Sequence, residues 1–453
     1  MKELLNAAAD RAARYLDAVA DRPVAPSQDA VAALARFDTA MPEAPDDPEA
    51  VLALLDEVGS PATVASAGPR FFGLVIGGAL PATVAASWLA AAWDQNTAFA
   101  QLTPATSTLE RVSLGWLVDL LGLPPGTGAG FVTGATVANL TALAAARHAL
   151  LTRAGWDVEG DGLFGAPPVT VVVGAEAHPS LFKALGLIGF GRRRVVTVPA
   201  DGQGRLRADA LPPLSGPTVI CAQAGNVNTG AIDPLEEICA RARDAGAWVH
   251  VDGAFGMWAA ASPRLRPRTA GLAEADSWAT DAHKWLNVPY DSGLALVRDP
   301  DALRAAMSVT AEYLPASDGD RSPSDYTPEM SRRARGVEVW AALRSLGRTG
   351  VADLVERNCR FARRFAAELS AAGYRVLNDV VLNQVLVSFG DAETTARVVA
   401  GIQADGTCWC GGTVWQGEAA MRISVSSWAT TDDHVTRSIA AMLRVAAEAT
   451  SEA

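Results

Sequence analysis

Between residues 61 and 298, short β-branched apolar runs alternate with stretches whose apolar residues recur at helical spacing. The clearest runs are residues 169–173, 194–198, 218–222, 248–252 and 293–297. They read as strands buried on both faces rather than as strands with one wet face. Residues 138–152, 180–186 and 234–245, lying between them, read as helices. This alternation predicts a mostly parallel sheet covered by helices on both faces, an α/β architecture. Ahead of it, residues 4–20 and 29–36 read as helices broken by proline-rich connectors such as Met41-Pro-Glu-Ala-Pro-Asp-Asp-Pro. From 307 to 335 the pattern lapses into Ser, Asp, Pro and Gly, and an unpatterned segment of that length is usually functional or disordered. A helix over 336–346 and strand-like runs at 384–389 and 421–425 then suit a small α+β domain. The expected division is an N-terminal helical arm (1–60), a large domain (61–305), a loop and connector (306–335) and a small C-terminal domain (336–453).

Composition narrows the function. The chain has 453 residues, 49% of them apolar and 19% charged, enough for more than one buried core. A net charge of −12 argues against a nucleic-acid partner. No apolar run spans a bilayer and the N-terminus does not read as a signal peptide, so no membrane partner and a cytoplasmic location are expected. The five cysteines are not at metal-ligand spacing, and no metal site is expected. Lysine occurs only at Lys2, Lys183 and Lys284, while arginine fills every other cationic position. A lysine kept in such a chain suggests a task for an amine that can lose its proton, which a guanidinium cannot do.

Four segments carry candidate chemistry, each near a strand end, where open α/β sheets bind ligands. His283 and Lys284 are adjacent in Asp276-Ser-Trp-Ala-Thr-Asp-Ala-His-Lys-Trp. A lysine amine condenses with an aldehyde when burial or cations lower its pKa; the alternative is a surface lysine beside a core histidine. Asp252 ends the apolar run Trp248-Val-His-Val-Asp and must find a partner: a protonated pyridine nitrogen, a turn to cap or an arginine. In Gly130-Phe-Val-Thr-Gly-Ala-Thr-Val-Ala-Asn-Leu, small residues and Thr136 at a helix start suit a phosphate or a plain cap. The segment is neither a Gly-Lys-Ser/Thr loop nor GxGxxG. His178, just after a strand, could stack on a flat ring, move a proton or serve structure alone.

Taken in this order, the segments resemble the group II pyridoxal-phosphate-dependent amino-acid decarboxylases, the family of the aromatic-L-amino-acid decarboxylases. The resemblance runs from about Gly68 into the C-terminal domain, and His283-Lys284-Trp285 and His250-Val251-Asp252 with Ala254 are its most specific motifs. It implies the aspartate-aminotransferase-like fold (fold type I, the PLP-dependent transferase fold) and pyridoxal 5'-phosphate as cofactor. It further implies a Schiff base on Lys284, Asp252 on the pyridine nitrogen, His178 and Ala254 on the two ring faces and Ala135 and Thr136 at the phosphate. His283 would lie close to the cofactor. Glu312-Tyr313-Leu314 matches the loop whose tyrosine reprotonates the substrate carbon, and Ser331-Arg-Arg-Ala-Arg-Gly-Val-Glu-Val-Trp matches the stretch after that loop. Because this loop closes over the neighbouring subunit in the family, a homodimer with active sites at the interface is implied.

Two departures bear on the geometry. Val137 stands where the family usually has Glu, and Gly225-Asn-Val-Asn-Thr-Gly, with Asn226, Val227 and Asn228, replaces the usual Gly-Thr-Thr. The expected reaction is removal of the α-carboxylate of an amino acid. Transamination, aldol cleavage, coupled decarboxylation or non-catalytic cofactor binding remain the alternatives. Phe71, Phe72, Trp88 and Trp93 favour an aromatic or apolar substrate if they shape the pocket, or are ordinary core and interface residues.

Overall fold

The computed structural model describes residues 1–309 and 321–451. Contacts divide the chain into two compact units. One comprises Met1–Ile76, Arg363–Leu377 and Val385–Ala453, the other Gly77–Ala362 and Asn378–Gln384. These limits differ from the four-part division expected from the sequence. The N-terminal arm shares its unit with C-terminal segments because buried Arg70 donates to the carbonyls of Ala20 (2.9 Å), Arg22 (3.0 Å) and Thr407. Val24 N–H also donates to the Gly406 carbonyl at 2.9 Å. Residues 321–335 belong to the larger unit. Fully buried Arg332 pairs with Glu110 at 2.7 Å and donates to the Phe131 carbonyl at 2.7 Å.

The larger unit holds a seven-stranded sheet: β1 (Gly128–Val132), β2 (Thr170–Gly174), β3 (Val196–Val198), β4 (Thr218–Gln223), β5 (Trp248–Asp252), β6 (Ser277–Asp281) and β7 (Gly293–Val297). Its order is β1-β7-β6-β5-β4-β2-β3. The pairs β2–β3, β2–β4, β4–β5 and β5–β6 are parallel, while β7 runs antiparallel to both β6 and β1. The sheet is therefore mostly parallel, as the alternation predicts, with one reversed strand. Neither β1 nor β6 stands out in the sequence, since Gly-Ala-Gly-Phe-Val and Ser-Trp-Ala-Thr-Asp are not β-branched runs.

The helix Ala135–Arg153 packs on β5, β6 and β7 and against the helix Pro179–Leu187. Its buried alanines (Ala138, Ala142, Ala145, Ala146) let the backbones approach closely. Leu143, Leu181, Leu185, Val171, Val219 and Trp248 close that side of the core. Each such leucine contributes about 2 kcal/mol on burial. The helix expected to stop at 346 continues as Gly336–Ala371, but Gly347 breaks it with φ 61°, a conformation glycine adopts without strain.

The smaller unit carries β8 (Arg375–Val376), β9 (Gln384–Ser388), β10 (Gly411–Trp415) and β11 (Glu418–Ser424), in the order β10-β11-β9-β8. The helices Ala392–Asp405 and Asp432–Ser451 pack together within it. Here Phe71 stacks on Trp409 at 5.1 Å and Phe72 meets Phe365 edge-on, so both phenylalanines are core residues. Among the described residues no helix is long and apolar enough to cross a membrane.

Candidate active site

Because β2, β4, β5 and β6 run parallel and β1 is antiparallel to the reversed β7, the C-terminal ends of all five lie on one edge of the sheet. His178 follows β2, Asp252 ends β5, Asp281 ends β6 with His283 and Lys284 just beyond, and Ala135 begins the helix after β1. The topology thus gathers all four chemically loaded segments.

Asp252 is buried, and both carboxylate oxygens accept hydrogen bonds: Oδ2 from Asn139 Nδ2 at 3.0 Å and Oδ1 from Ala254 N–H at 3.2 Å. Behind it, Asn139 Oδ1 lies 2.8 Å from His250 Nε2, and His250 Nδ1 lies 2.9 Å from Ser277 Oγ. Trp248 Nε1 donates to that same Oγ at 2.8 Å. Burial pushes the His250 imidazole down to about 4, with the Asp252 charge opposing the shift, so the ring is neutral near pH 7.

Lys284 Nζ lies 3.0 Å from Asp281 Oδ2, and His283 Nε2 lies 3.6 Å from the same oxygen. Asp281 is almost wholly buried, and among the described residues its Oδ1 has no hydrogen-bond partner. His283 Nδ1 accepts from Ser292 N–H at 3.1 Å, and burial holds its pKa below the ordinary value. Tyr290 stacks on the His283 ring at 4.3 Å while more than half of its own surface stays exposed.

The turn before the helix Ala135–Arg153 fits between the ends of two strands. Val132 on β1 and Asp281 on β6 are both register partners of Gly293. A Cβ at Gly293 would stand 2.5 Å from Gly134 Cα, so only glycine admits the turn there. Ala138 N–H is bonded to the Gly134 carbonyl, and the N–H groups of Ala135, Thr136 and Val137 precede that first helical bond at the positive end of the helix. No acidic side chain lies in this first turn, since Val137 takes the place of a glutamate. An amine, a buried acceptor-only carboxylate and a helix start in a glycine-lined turn match an aldehyde, a protonated ring nitrogen and a phosphate. The residues present fit pyridoxal phosphate.

Comparison with known proteins agrees. The model of the pyridoxal-dependent decarboxylase conserved domain matches residues 32–390. The chain belongs to that family. It is 27% identical over 384 residues to an aromatic-L-amino-acid decarboxylase of Bacillus atrophaeus, covering 82% of this chain and 78% of that protein. It is 30% identical over 325 residues to tryptophan decarboxylase 1 of Oryza sativa subsp. japonica, covering 66% of this chain and 62% of the relative. The crystal structure of Oryza sativa TDC with PLP and tryptamine superposes with a TM-score of 0.90 at 23% identity, covering 99% and 97% of the two chains; that likeness bears on the fold. The chain is thus a fold type I enzyme, its cofactor is pyridoxal phosphate and its reaction is amino-acid decarboxylation.

In this decarboxylase the departure at Asn226–Val227–Asn228 has a structural explanation. Asn226 Oδ1 accepts from the N–H groups of Asn228 (2.9 Å) and Thr229 (3.2 Å), closing a tight turn after β4. Its amide nitrogen and that of Gln223 both donate to the Glu176 carbonyl, at 3.4 and 3.1 Å. Asn226 thereby steadies the backbone two residues before His178. His178 caps the helix Pro179–Leu187, its Nδ1 accepting from Ser180 N–H at 3.2 Å and lying 2.7 Å from Ser180 Oγ.

Tyr313 lies outside the described residues. Downstream, Arg335 Nε donates to Asp291 Oδ1 at 2.8 Å, next to the Tyr290 ring that covers His283. Sequence reasoning missed Asn139, Asp281 and Tyr290. The signal for Asn139 was an amide among alanines and leucines in a buried helix, and for Asp281 a carboxylate three residues before Lys284.

Proposed function

We propose that this decarboxylase acts on an aromatic or apolar amino acid with its cofactor held covalently through Lys284. The observation that carries the reading is the amine of Lys284 beside Asp281, on the sheet edge that also carries Asp252 and the Gly134 turn. The bound cofactor supplies an electron sink for the pair left when CO2 departs. Asp252, an acceptor on both oxygens, holds a proton on the ring nitrogen. His178 and Ala254 cover the two ring faces, and the N–H groups of Ala135 and Thr136, with the Thr136 hydroxyl, bind the phosphate. His283, stacked under Tyr290 and accepting from Ser292 N–H, keeps the Lys284 turn in place. Tyr313 delivers the proton to the substrate carbon, directly or through His178.

The aromatic preference is supported by the names of the two relatives, one an aromatic-L-amino-acid and the other a tryptophan decarboxylase. A homodimer is supported by the helix Pro81–Trp93, which exposes Trp88, Leu89 and Trp93 together. A cytoplasmic location accords with five cysteines that are all free.

Two measurements test this reading. Borohydride reduction of the cofactor-loaded protein followed by peptide mapping is expected to label Lys284, and a label elsewhere overturns the assignment. Incubation with the twenty amino acids is expected to yield CO2 and the amine of an aromatic or apolar substrate. Keto acid or aldehyde in place of amine would move the chain to another reaction of the same fold.

A further inference from the structure

The polar line behind Asp252 takes a single direction when the carboxylate is an anion and the His250 ring is neutral. At one end stands the Trp248 indole, which can donate but never accept. Ser277 Oγ takes that hydrogen at 2.8 Å and has one hydrogen of its own to give to His250 Nδ1, 2.9 Å away. A neutral imidazole that accepts at Nδ1 carries its proton on Nε2, which donates to Asn139 Oδ1 at 2.8 Å. The Asn139 amide is then committed, with its NH2 group turned to Asp252 Oδ2 at 3.0 Å. At the other end stands a carboxylate, which as an anion can only accept. Every member of the line is buried, so none can exchange its partner for water. A satisfied buried network of this kind fixes orientation more strongly than its separate pairs.

We infer that Asn139 is a positioning residue for the reaction: backed by His250, Ser277 and the Trp248 indole, it aims the Asp252 carboxylate at the cofactor's ring nitrogen. The inference rests on the assignment of Asp252 to that nitrogen. Two further titratable groups bear on the line. Cys221, register partner of His250 on β4, is driven by burial to stay a thiol. Asp252 is the charged group that acts on the ring, and burial outweighs it in keeping His250 neutral. Ser277 and Asn139 do not ionise.

Nitrogen-15 NMR of the histidine rings in the cofactor-free protein tests the line without turnover. His250 is expected as a neutral Nε2–H tautomer from pH 6 to 8, and an Nδ1–H tautomer or a doubly protonated ring overturns the inference. Asn139→Leu, similar in volume but without polar atoms, is expected to weaken cofactor binding about ten-fold or more, the effect of losing a hydrogen bond to a charged group. It should also shift the pH dependence of the bound cofactor's visible absorption by about one unit, and lower kcat with little change in KM. An unshifted absorption profile overturns the inference. Should that variant fail to fold, Asn139→Asp keeps the shape and replaces the donor with a second carboxylate, with the same readout and the same failing result. Asp252→Asn separates the two layers. If it too leaves the absorption unshifted, the assignment of Asp252 is wrong; if it alone shifts the profile, the positioning role of Asn139 is wrong.

Discussion

Asp252 is held from two directions, by Ala254 N–H in its own loop and by Asn139 on the helix Ala135–Arg153. Its shape is thereby fixed and its charge is what remains to be used. Asp252→Asn keeps the shape and removes the charge, so kcat is expected to fall about 100-fold or more, as when preorganised electrostatics are lost, with a smaller change in KM; steady-state kinetics check this. Tyr313→Phe removes the proposed proton donor, and in air-saturated buffer mass spectrometry should then find less amine and more aldehyde, with O2 as the two-electron oxidant and ammonia and H2O2 as co-products. An unchanged amine yield would free Tyr313 from that role. At this scale the sequence was informative about residues whose type is unusual for their place: Lys284, one of three lysines in an arginine-rich chain, and one carboxylate ending an apolar strand. Asn139 was harder to find, because its work depends on a neighbour distant in the chain, 113 residues separating it from Asp252, whereas Asp281 lies three residues from Lys284 and was missed beside a more conspicuous neighbour.

Among the elements, the turn between β1 and its helix owes its place to two glycines in contact. Gly293→Ala would set a methyl group 2.5 Å from Gly134 Cα, a backbone atom that cannot swing aside as a side chain could. The turn must move, at about 1–3 kcal/mol, and cofactor affinity measured by equilibrium titration is expected to fall. Gly77→Ala is more severe, since the new Cβ would stand 2.0 Å from the Lys284 carbonyl oxygen. It is expected to lower the melting temperature and to disturb the Lys284 turn, seen as a changed absorption of the bound cofactor. The strands that anchor this edge were unevenly legible. β2, β4, β5 and β7 announced themselves as apolar runs, but β1 is rich in glycine and β6 in polar residues. Both lie in the sheet because their neighbours pair with them, a tertiary effect that local propensity does not record.

For the molecule as a whole, two buried groups make stability depend on pH in opposite senses. His250 is lowered from 6.5 to about 4. Its contribution is full above pH 6.5 and is lost as pH falls through 4, a loss of up to about 3 kcal/mol. Asp233 is raised from 3.8 to about 7, chiefly by burial, so its contribution is full below 3.8 and lost as pH rises through 7. Denaturant titrations of the cofactor-free protein from pH 4 to 8 should therefore show His250→Gln flattening the acid-side loss. Asp233→Asn should flatten the loss on the alkaline side, and identical profiles for wild type and both variants would refute both assignments. The broad division into a mostly parallel sheet and a second, smaller sheet was readable from periodicity alone. The sharing of one unit by the N-terminal arm and the C-terminal segments was not, since it depends on Arg70 reaching carbonyls at both ends of the chain.

The near-absence of lysine has a practical corollary. Outside the active site, the chain's primary amines are its N-terminus, Lys2 and Lys183. An acylating or aldehyde-bearing reagent would meet so few competing nucleophiles that a label shaped like a substrate could be directed to one position, and the extent of tagging would report on occupancy without a separate assay.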